Sequence, residues 1–262
     1  MKIKLYQVDA FSNQPFKGNP AAVCLLEHEL QEELMQSIAA ENNLAETAFL
    51  VKATDGYDLR WFTPTVEIAL CGHATLASAY ILYQNGILKA QERARFHTKS
   101  GLLTAEKKGN WIELDFPAAS NKETEIPVQL KDALNVEPVQ VAHTGDRYII
   151  EVATEEEVKS CSPDFKILKD FDAVILTSAT KAGSPYDFIS RTFAPSHGID
   201  EDPVTGSSHC ALVPYWAAKL GKEEMFAYQA SSRGGELKLK YAGKRVLFSG
   251  EAVTVIEGNL IL

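Results

Sequence analysis

Between Glu29 and Asn42, apolar residues recur at every fourth position, Leu30, Leu34 and Ile38, on an otherwise polar segment, and the spacing predicts an amphipathic helix. Asn42-Asn43 ends it. Leu44 to Val51 and Tyr57 to Phe62 are rich in aromatic and β-branched residues around Asp55-Gly56, a pair suited to a tight turn, and predict two joined strands. Glu46 then lies where a loop enters a strand. From Cys71 to Asn85 the chain is apolar on nearly every helical face and stops at Gly86, which predicts a helix surrounded by protein. Arg95 to Thr98, Leu102 to Glu106 and Trp111 to Phe116 read as strands, the last two joined through Lys108-Gly109-Asn110. Short strands around one buried helix predict a curled, mostly antiparallel sheet wrapped around it.

The second half repeats the pattern. Arg60-Trp-Phe-Thr-Pro64 precedes a loop, a glycine (Gly72) and the buried helix that stops at Gly86; Arg191-Thr-Phe-Ala-Pro195 precedes a loop, Gly206 and an apolar helix that stops at Gly221. The intervals from proline to glycine are 8 and 11 residues, and from glycine to glycine 14 and 15. This order, seen twice, indicates an internal duplication. Val139 to Val152 reads as a hairpin through Thr144-Gly145-Asp146, Ala173 to Thr177 and Tyr186 to Phe193 as strands, and Gly235 to Leu262 as further hairpins. The proline-framed stretch 117–127, poor in aromatic and β-branched residues, is read as a linker. The expected architecture is α+β, with two pseudo-symmetric domains, 1–117 and 118–250, each a barrel-like sheet around a central helix.

Composition narrows the chemistry. Of 262 residues, 45% are hydrophobic, and 35 acidic against 26 basic residues leave a formal charge of −9. An acidic chain without a Lys/Arg cluster is a poor partner for nucleic acid, whose affinity rests on cations neutralising phosphates. No apolar run reaches the length of a membrane span, and the start, Met1 to Phe11, lacks the pattern of a signal peptide. Cys24, Cys71, Cys161 and Cys210 are far apart with no CxxC pair, so neither a disulfide framework nor a zinc ribbon is indicated. A cytoplasmic protein is expected, with a homodimer as the commonest soluble assembly.

Duplicated domains commonly place a ligand between them, and the starts of both buried helices, at Gly72-His73 and Gly206-Ser207, offer free backbone N–H groups and a positive dipole end. The expected ligand is therefore a small carboxylated metabolite. Glu46, His73, Asp202, Ser207 and His209 are the protic residues near these starts. A carboxylate sheltered from water can work as a general acid or base near neutral pH, and Glu46 is the candidate for that role.

Gly18-Asn-Pro-Ala-Ala-Val23, Asn43-Leu-Ala-Glu-Thr-Ala-Phe49, Arg60-Trp-Phe-Thr-Pro64, Cys71-Gly-His-Ala-Thr75, Asp202-Pro-Val-Thr-Gly-Ser207 and Gln229-Ala-Ser-Ser-Arg-Gly-Gly235 together resemble the phenazine biosynthesis PhzF-like isomerases. The resemblance spans most of the chain in the family's order. It implies the diaminopimelate epimerase-like fold, with the last strand, 251–262, returning to the first domain. It also implies an isomerase that moves a proton without a cofactor. On that resemblance the acid/base glutamate falls on Glu46, and the active-site His, Asp and Ser fall on His73, Asp202 and Ser207.

Related racemases on this fold use a cysteine before each helix. Here Cys71 fills the first such position but Thr205 the second, and a hydroxyl cannot replace a thiolate base. A racemase or epimerase is thus the alternative within this chemistry, and a non-catalytic ligand-binding protein the alternative outside it. Cys71 and Cys210 are read as packing residues, His209 as core or site, and Arg60 and Arg191 as holding loops. His73, His209 and Cys210 lack the spacing of a zinc site, so no metal is expected.

Overall fold

A computed structural model describes residues 2–262, which fall into two compact units: one runs to Phe116 and is rejoined by Phe248–Leu262, the other is Pro117–Leu247.

The first unit is built from β1 (Lys2–Ala10), β2 (Asn19–Leu26), α1 (Glu32–Asn42), β3 (Glu46–Ala53), β4 (Gly56–Phe62), β5 (Glu67–Ile68), α2 (Gly72–Gln84), β6 (Ala94–Thr98), β7 (Gly101–Lys108) and β8 (Trp111–Pro117). β1 and β2 are antiparallel, β2 and β3 parallel with α1 in the crossover, β3 and β4 antiparallel, β4 and β6 parallel with α2 in the crossover, and β6, β7 and β8 antiparallel in turn. α2 is buried along most of its length and packs against β1, β2, β3 and β7. On the other side of the sheet, Met35, Ile38 and Ala39 of α1 close over Ile3, Cys24, Phe49 and Phe62. Removing a side chain the size of Met35, Ile38 or Phe49 from water stabilises the fold by roughly 1.5–3 kcal/mol.

α1 starts at Glu32, three residues later than its apolar spacing predicts. Gln31 is extended, and Glu29 is drawn to Arg60 instead of to the helix. Arg60 also pairs with Glu32 and with the buried Glu67 carboxylate, so it fastens the loop after β4 to α1.

The second unit comprises β9 (Lys122–Glu123), α3 (Val128–Leu134), β10 (Gln140–His143), β11 (Arg147–Glu151), α4 (Glu155–Ser160), α5 (Phe165–Leu168), β12 (Ala173–Ala179), β13 (Phe188–Ala194), β14 (Ile199–Asp202), α6 (Gly206–Leu220), β15 (Glu224–Gln229) and β16 (Gly235–Ala242). Its pairing repeats that of the first: β10–β11 antiparallel, β11–β12 parallel, β12–β13 antiparallel, β13–β15 parallel with α6 in the crossover, β15–β16 antiparallel. Arg191 likewise grips Glu201 and the carbonyls of Val158 and Cys161. β17 (Arg245–Gly250) carries the chain back to the first unit, where β18 (Ala252–Ile261) runs antiparallel to β1, from Ala10↔Ala252 to Lys2↔Ile261.

The stretch 117–127 is not a free linker. β9 pairs with β10, and the N–H groups of Ala118 and Ala119 donate to Lys244 and Cys210 carbonyls, so the segment is an edge of the second unit. Among the described residues, no helix is long and apolar enough to cross a membrane.

Candidate active site

Three chain segments bring the first group of site residues together. Asn19 opens β2, Glu46 opens β3, and the parallel register of these strands (Ala21↔Glu46) puts both residues at the same end of the sheet. Cys71 caps α2, Gly72 is its first residue and His73 its second. The first turn of a helix leaves backbone N–H groups without intrahelical partners, and Gly72 adds no side chain to cover them.

His73 is the hub. Its Nε2 lies 2.9 Å from Glu46 Oε2, its Nδ1 lies 3.3 Å from Asn19 Nδ2 and 3.6 Å from Cys71 Sγ. His73 and Cys71 are each 6% exposed, Asn19 is fully buried, and the Glu46 side chain keeps 16% of its surface. The Glu46–His73 contact is close but off the direction of a ring N–H, so neither Oε2 nor Nε2 has an aligned hydrogen-bond partner. Burial opposes a charge on His73, but Cys71 and the Glu46 carboxylate outweigh it and hold the ring well above its ordinary pKa. Burial pushes the Cys71 thiol up, and the Glu46 carboxylate adds to this while His73 opposes it. The His73 ring is thereby biased toward its charged form, with the Glu46 carboxyl group on one side and the Cys71 thiol on the other.

The corresponding region of the second unit has different chemistry. Thr205 caps α6, and its hydroxyl donates to Asp202 Oδ2 at 2.6 Å. Gly206 and Ser207 open the helix, and Ser207 is exposed. Gln229, fully buried, accepts from Thr205 N (2.8 Å) and donates to the Asp202 carbonyl (2.8 Å), so one carboxamide pins both ends of the loop that leads into α6. Ser231 adds a bond to the Pro203 carbonyl at 2.7 Å. Arg147, fixed by Asp146, donates to Ser207 Oγ at 3.0 Å and places a cation beside the helix start. That guanidinium and burial act in opposite senses on Asp146, and the former wins, lowering its pKa to about 2.

Glu46, Gly72 and His73 thus meet in the first unit, and Asp202, Gly206 and Ser207 in the second. Asn19, Arg147, Thr205 and Gln229 carry contacts that no sequence pattern assigned, although Gly18-Asn-Pro and Gln229-Ala-Ser-Ser stood among the motifs. Cys71, read as packing, touches the His73 ring. Cys24 and Cys210 are packing thiols, pushed to about 12 by burial.

His209 points away from this chemistry. Its ring lies among Phe188 and its neighbours (centroids 6.1 Å apart), and Nδ1–H donates to the Thr205 carbonyl at 2.8 Å. Burial lowers its pKa from 6.5 to about 4. The unfolded chain therefore binds a proton here that the folded chain refuses, so this contribution is complete above pH 6.5 and lost as pH falls through 4, by roughly 3 kcal/mol in all. Urea unfolding of wild type and His209→Gln across pH 4–7 checks this; the wild type is expected to lose stability more steeply in that window.

Comparison with known proteins places these features. The family model described as phenazine biosynthesis-like protein matches residues 8–258. A protein of Halalkalibacterium halodurans bearing the name uncharacterized isomerase is 51% identical, over 100% of both chains. The crystal structure of a phenazine biosynthesis PhzF-family protein of Enterococcus faecalis has a TM-score of 0.95 at 43% identity, covering 100% of each chain. A probable proline racemase of Agrobacterium radiobacter, crystallised with carbonate, gives a TM-score of 0.64 at 13% identity, over 99% of this chain and 93% of its own, and so shares the fold alone.

Proposed function

The chain belongs to the phenazine biosynthesis-like protein family, and on that premise we propose that it is an isomerase that moves one proton within a small carboxylated metabolite, with Glu46 as the acid/base. The observation that carries this reading is the Glu46 carboxylate, nearly sheltered from water and 2.9 Å from His73 at the start of a buried helix. The carboxylate takes a proton from one carbon and returns it to another carbon of the same delocalised anion. The His73 ring at its side, biased toward the charged form, steadies negative charge on the carboxylate and then on the substrate anion. Free N–H groups at Gly72-His73 bind the substrate carboxylate or its developing charge. The same anion-binding role is assigned to Gly206 and Ser207, with Asp202 as the second protic group.

A two-base racemase needs bases on opposite faces of a stereocentre. Cys71 and Glu46 come from the same unit with ligating atoms within 4.8 Å of one another, and the cap of α6 is Thr205, which favours a single carboxylate acting twice. The test is thermal denaturation of wild type and Glu46→Gln against cyclic and acyclic carboxylated metabolites, since a ligand that binds only the folded state raises Tm. At least one carboxylate is expected to raise Tm in both proteins; no response to any would contradict the anion site.

A further inference from the structure

The start of α6 holds a hydrogen-bond chain that the proposed reaction has not used. β13 has β12 along one edge, and β14 and β15 follow one another along the other, with Asp202 opposite Thr192 and Gln229 opposite Ser190. Residues 27 positions apart in sequence therefore meet at the cap of the helix. The Gln229 carboxamide has one orientation, because its oxygen accepts from the Thr205 backbone N–H at 2.8 Å and its nitrogen donates to the Asp202 carbonyl at 2.8 Å, groups whose roles are fixed. The same nitrogen donates its second proton to Thr205 Oγ1 at 3.1 Å. With that lone pair taken, the single proton of the hydroxyl goes to Asp202 Oδ2, 2.6 Å away. The Thr205 carbonyl accepts in turn from His209 Nδ1–H at 2.8 Å, so the residue that carries the hydroxyl is held at both backbone N and O.

We propose that Gln229 is a positioning residue that acts on Asp202 through the Thr205 hydroxyl, so that Asp202 serves the reaction as a carboxylate aimed by a neutral donor and not as an acid. The inference deepens the assignment of Asp202 to the reaction and rests on it. A hydroxyl that donates to a carboxylate favours its charged form, and does so without cancelling the charge as an ion pair would. The charged groups on the elements around this loop are engaged elsewhere: Glu201 with Arg191, and Arg147 with Asp146 and Ser207. His209 is uncharged at neutral pH, because burial lowers its pKa to about 4. A carboxylate with one oxygen fixed in this way is oriented before the substrate arrives, which is the condition for preorganised electrostatic stabilisation.

The test uses the full chain without ligand, labelled with carbon-13 at its aspartate carboxyls, the Asp202 resonance being identified by its loss in Asp202→Asn. Thr205→Val keeps the backbone bond to Gln229 and the branched shape but removes the hydroxyl. The midpoint of the Asp202 titration is then expected to move to higher pH, by about tenfold or more in proton affinity. Thr205→Ser should return it to the wild-type position. Gln229→Met should move it in the wild-type background and not in Thr205→Val, because two residues that act through one chain are not additive. Should Gln229→Met fail to fold, the Gln229 Nε2 protons decide the matter: their resonances are expected to change in Thr205→Val and to recover in Thr205→Ser. An Asp202 titration unmoved in Thr205→Val, no recovery with serine, an equal effect of Gln229→Met in both backgrounds, or Nε2 resonances indifferent to the hydroxyl would overturn the proposal. None of these readouts needs a substrate; the assignment of Asp202 to the reaction fails separately, by deuterium exchange at ligand carbon that is unchanged in Asp202→Asn.

Discussion

Glu46→Gln is expected to lower proton transfer by about 10²–10⁴-fold while the protein still folds and binds its carboxylate ligand. Glutamine keeps the size and one acceptor oxygen of the side chain but cannot take up a proton at neutral pH. The buried pair is broken only formally, because His73 can lose its own proton once its anionic neighbour is gone, and an ordinary neutral ring is tolerated among Asn19 and Cys71. This gives a second readout that does not need the substrate. The Glu46 carboxylate is among the groups that raise the His73 pKa, so the ring should titrate at lower pH in Glu46→Gln than in wild type, as followed by its proton NMR resonances. Turnover unchanged in the variant would remove Glu46 from the reaction, and an unchanged His73 titration would remove the electrostatic coupling between the two.

Gly18→Ala should have the largest effect on stability of any single methyl addition near the site, about 2–4 kcal/mol. Gly18 adopts φ +66, in the left-handed region that a side chain disfavours, and a Cβ there would stand 2.1 Å from the Ala10 carbonyl oxygen. The obstacle is backbone, held by the β1–β2 pairing of Ala10 with Asn19, so it cannot swing aside as a side-chain tip could. The preceding turn is equally constrained: Phe11 and Phe16 both have positive φ, and the buried Asp9 carboxylate accepts from Phe16 N at 2.7 Å. Relief of the clash must displace Asn19, which lies against His73, so weaker ligand binding should accompany the lower Tm. Chemical denaturation together with ligand titration checks both effects, and a variant as stable as wild type would refute the account of this turn.

The parts of the fold most legible in the sequence are those whose cause is local. α2 and α6 announce themselves by an apolar pattern on every face and by glycines at both ends, and the structure buries most residues of both. Their flanking arginines were legible as loop holders because each lies in a strand pattern just before a turn, and Arg60 and Arg191 do bind carboxylates of the following strands. α3, α4 and α5 were missed because seven, six and four residues are too few to show a helical period. They form because a sheet face needs covering: Leu130, Leu134, Val158 and Leu168 close over Ile150, Val174 and Leu176.

The site divides the same way. Gly72, His73, Gly206 and Ser207 follow from helix starts, which sequence marks. The contacts of Asn19 and Cys71 with His73, and of Gln229 with Thr205, join residues that are 54, 2 and 24 positions apart. Two of these depend on how a helix start packs against a distant strand, α2 on β2 and α6 on β15, which a single sequence does not display, and the third on a cap geometry that lets a residue fold back on its second neighbour.

The measurement that bears most directly on the central claim is hydrogen exchange in deuterated water. Carboxylated metabolites that raise Tm are incubated with wild type or with Glu46→Gln, and carbon-bound deuterium is followed by NMR. A single ligand is expected to gain deuterium at carbon, or to appear as a positional isomer, with wild type and not with Glu46→Gln. Exchange that proceeds equally in both proteins would contradict the assignment of Glu46 as the group that moves the proton.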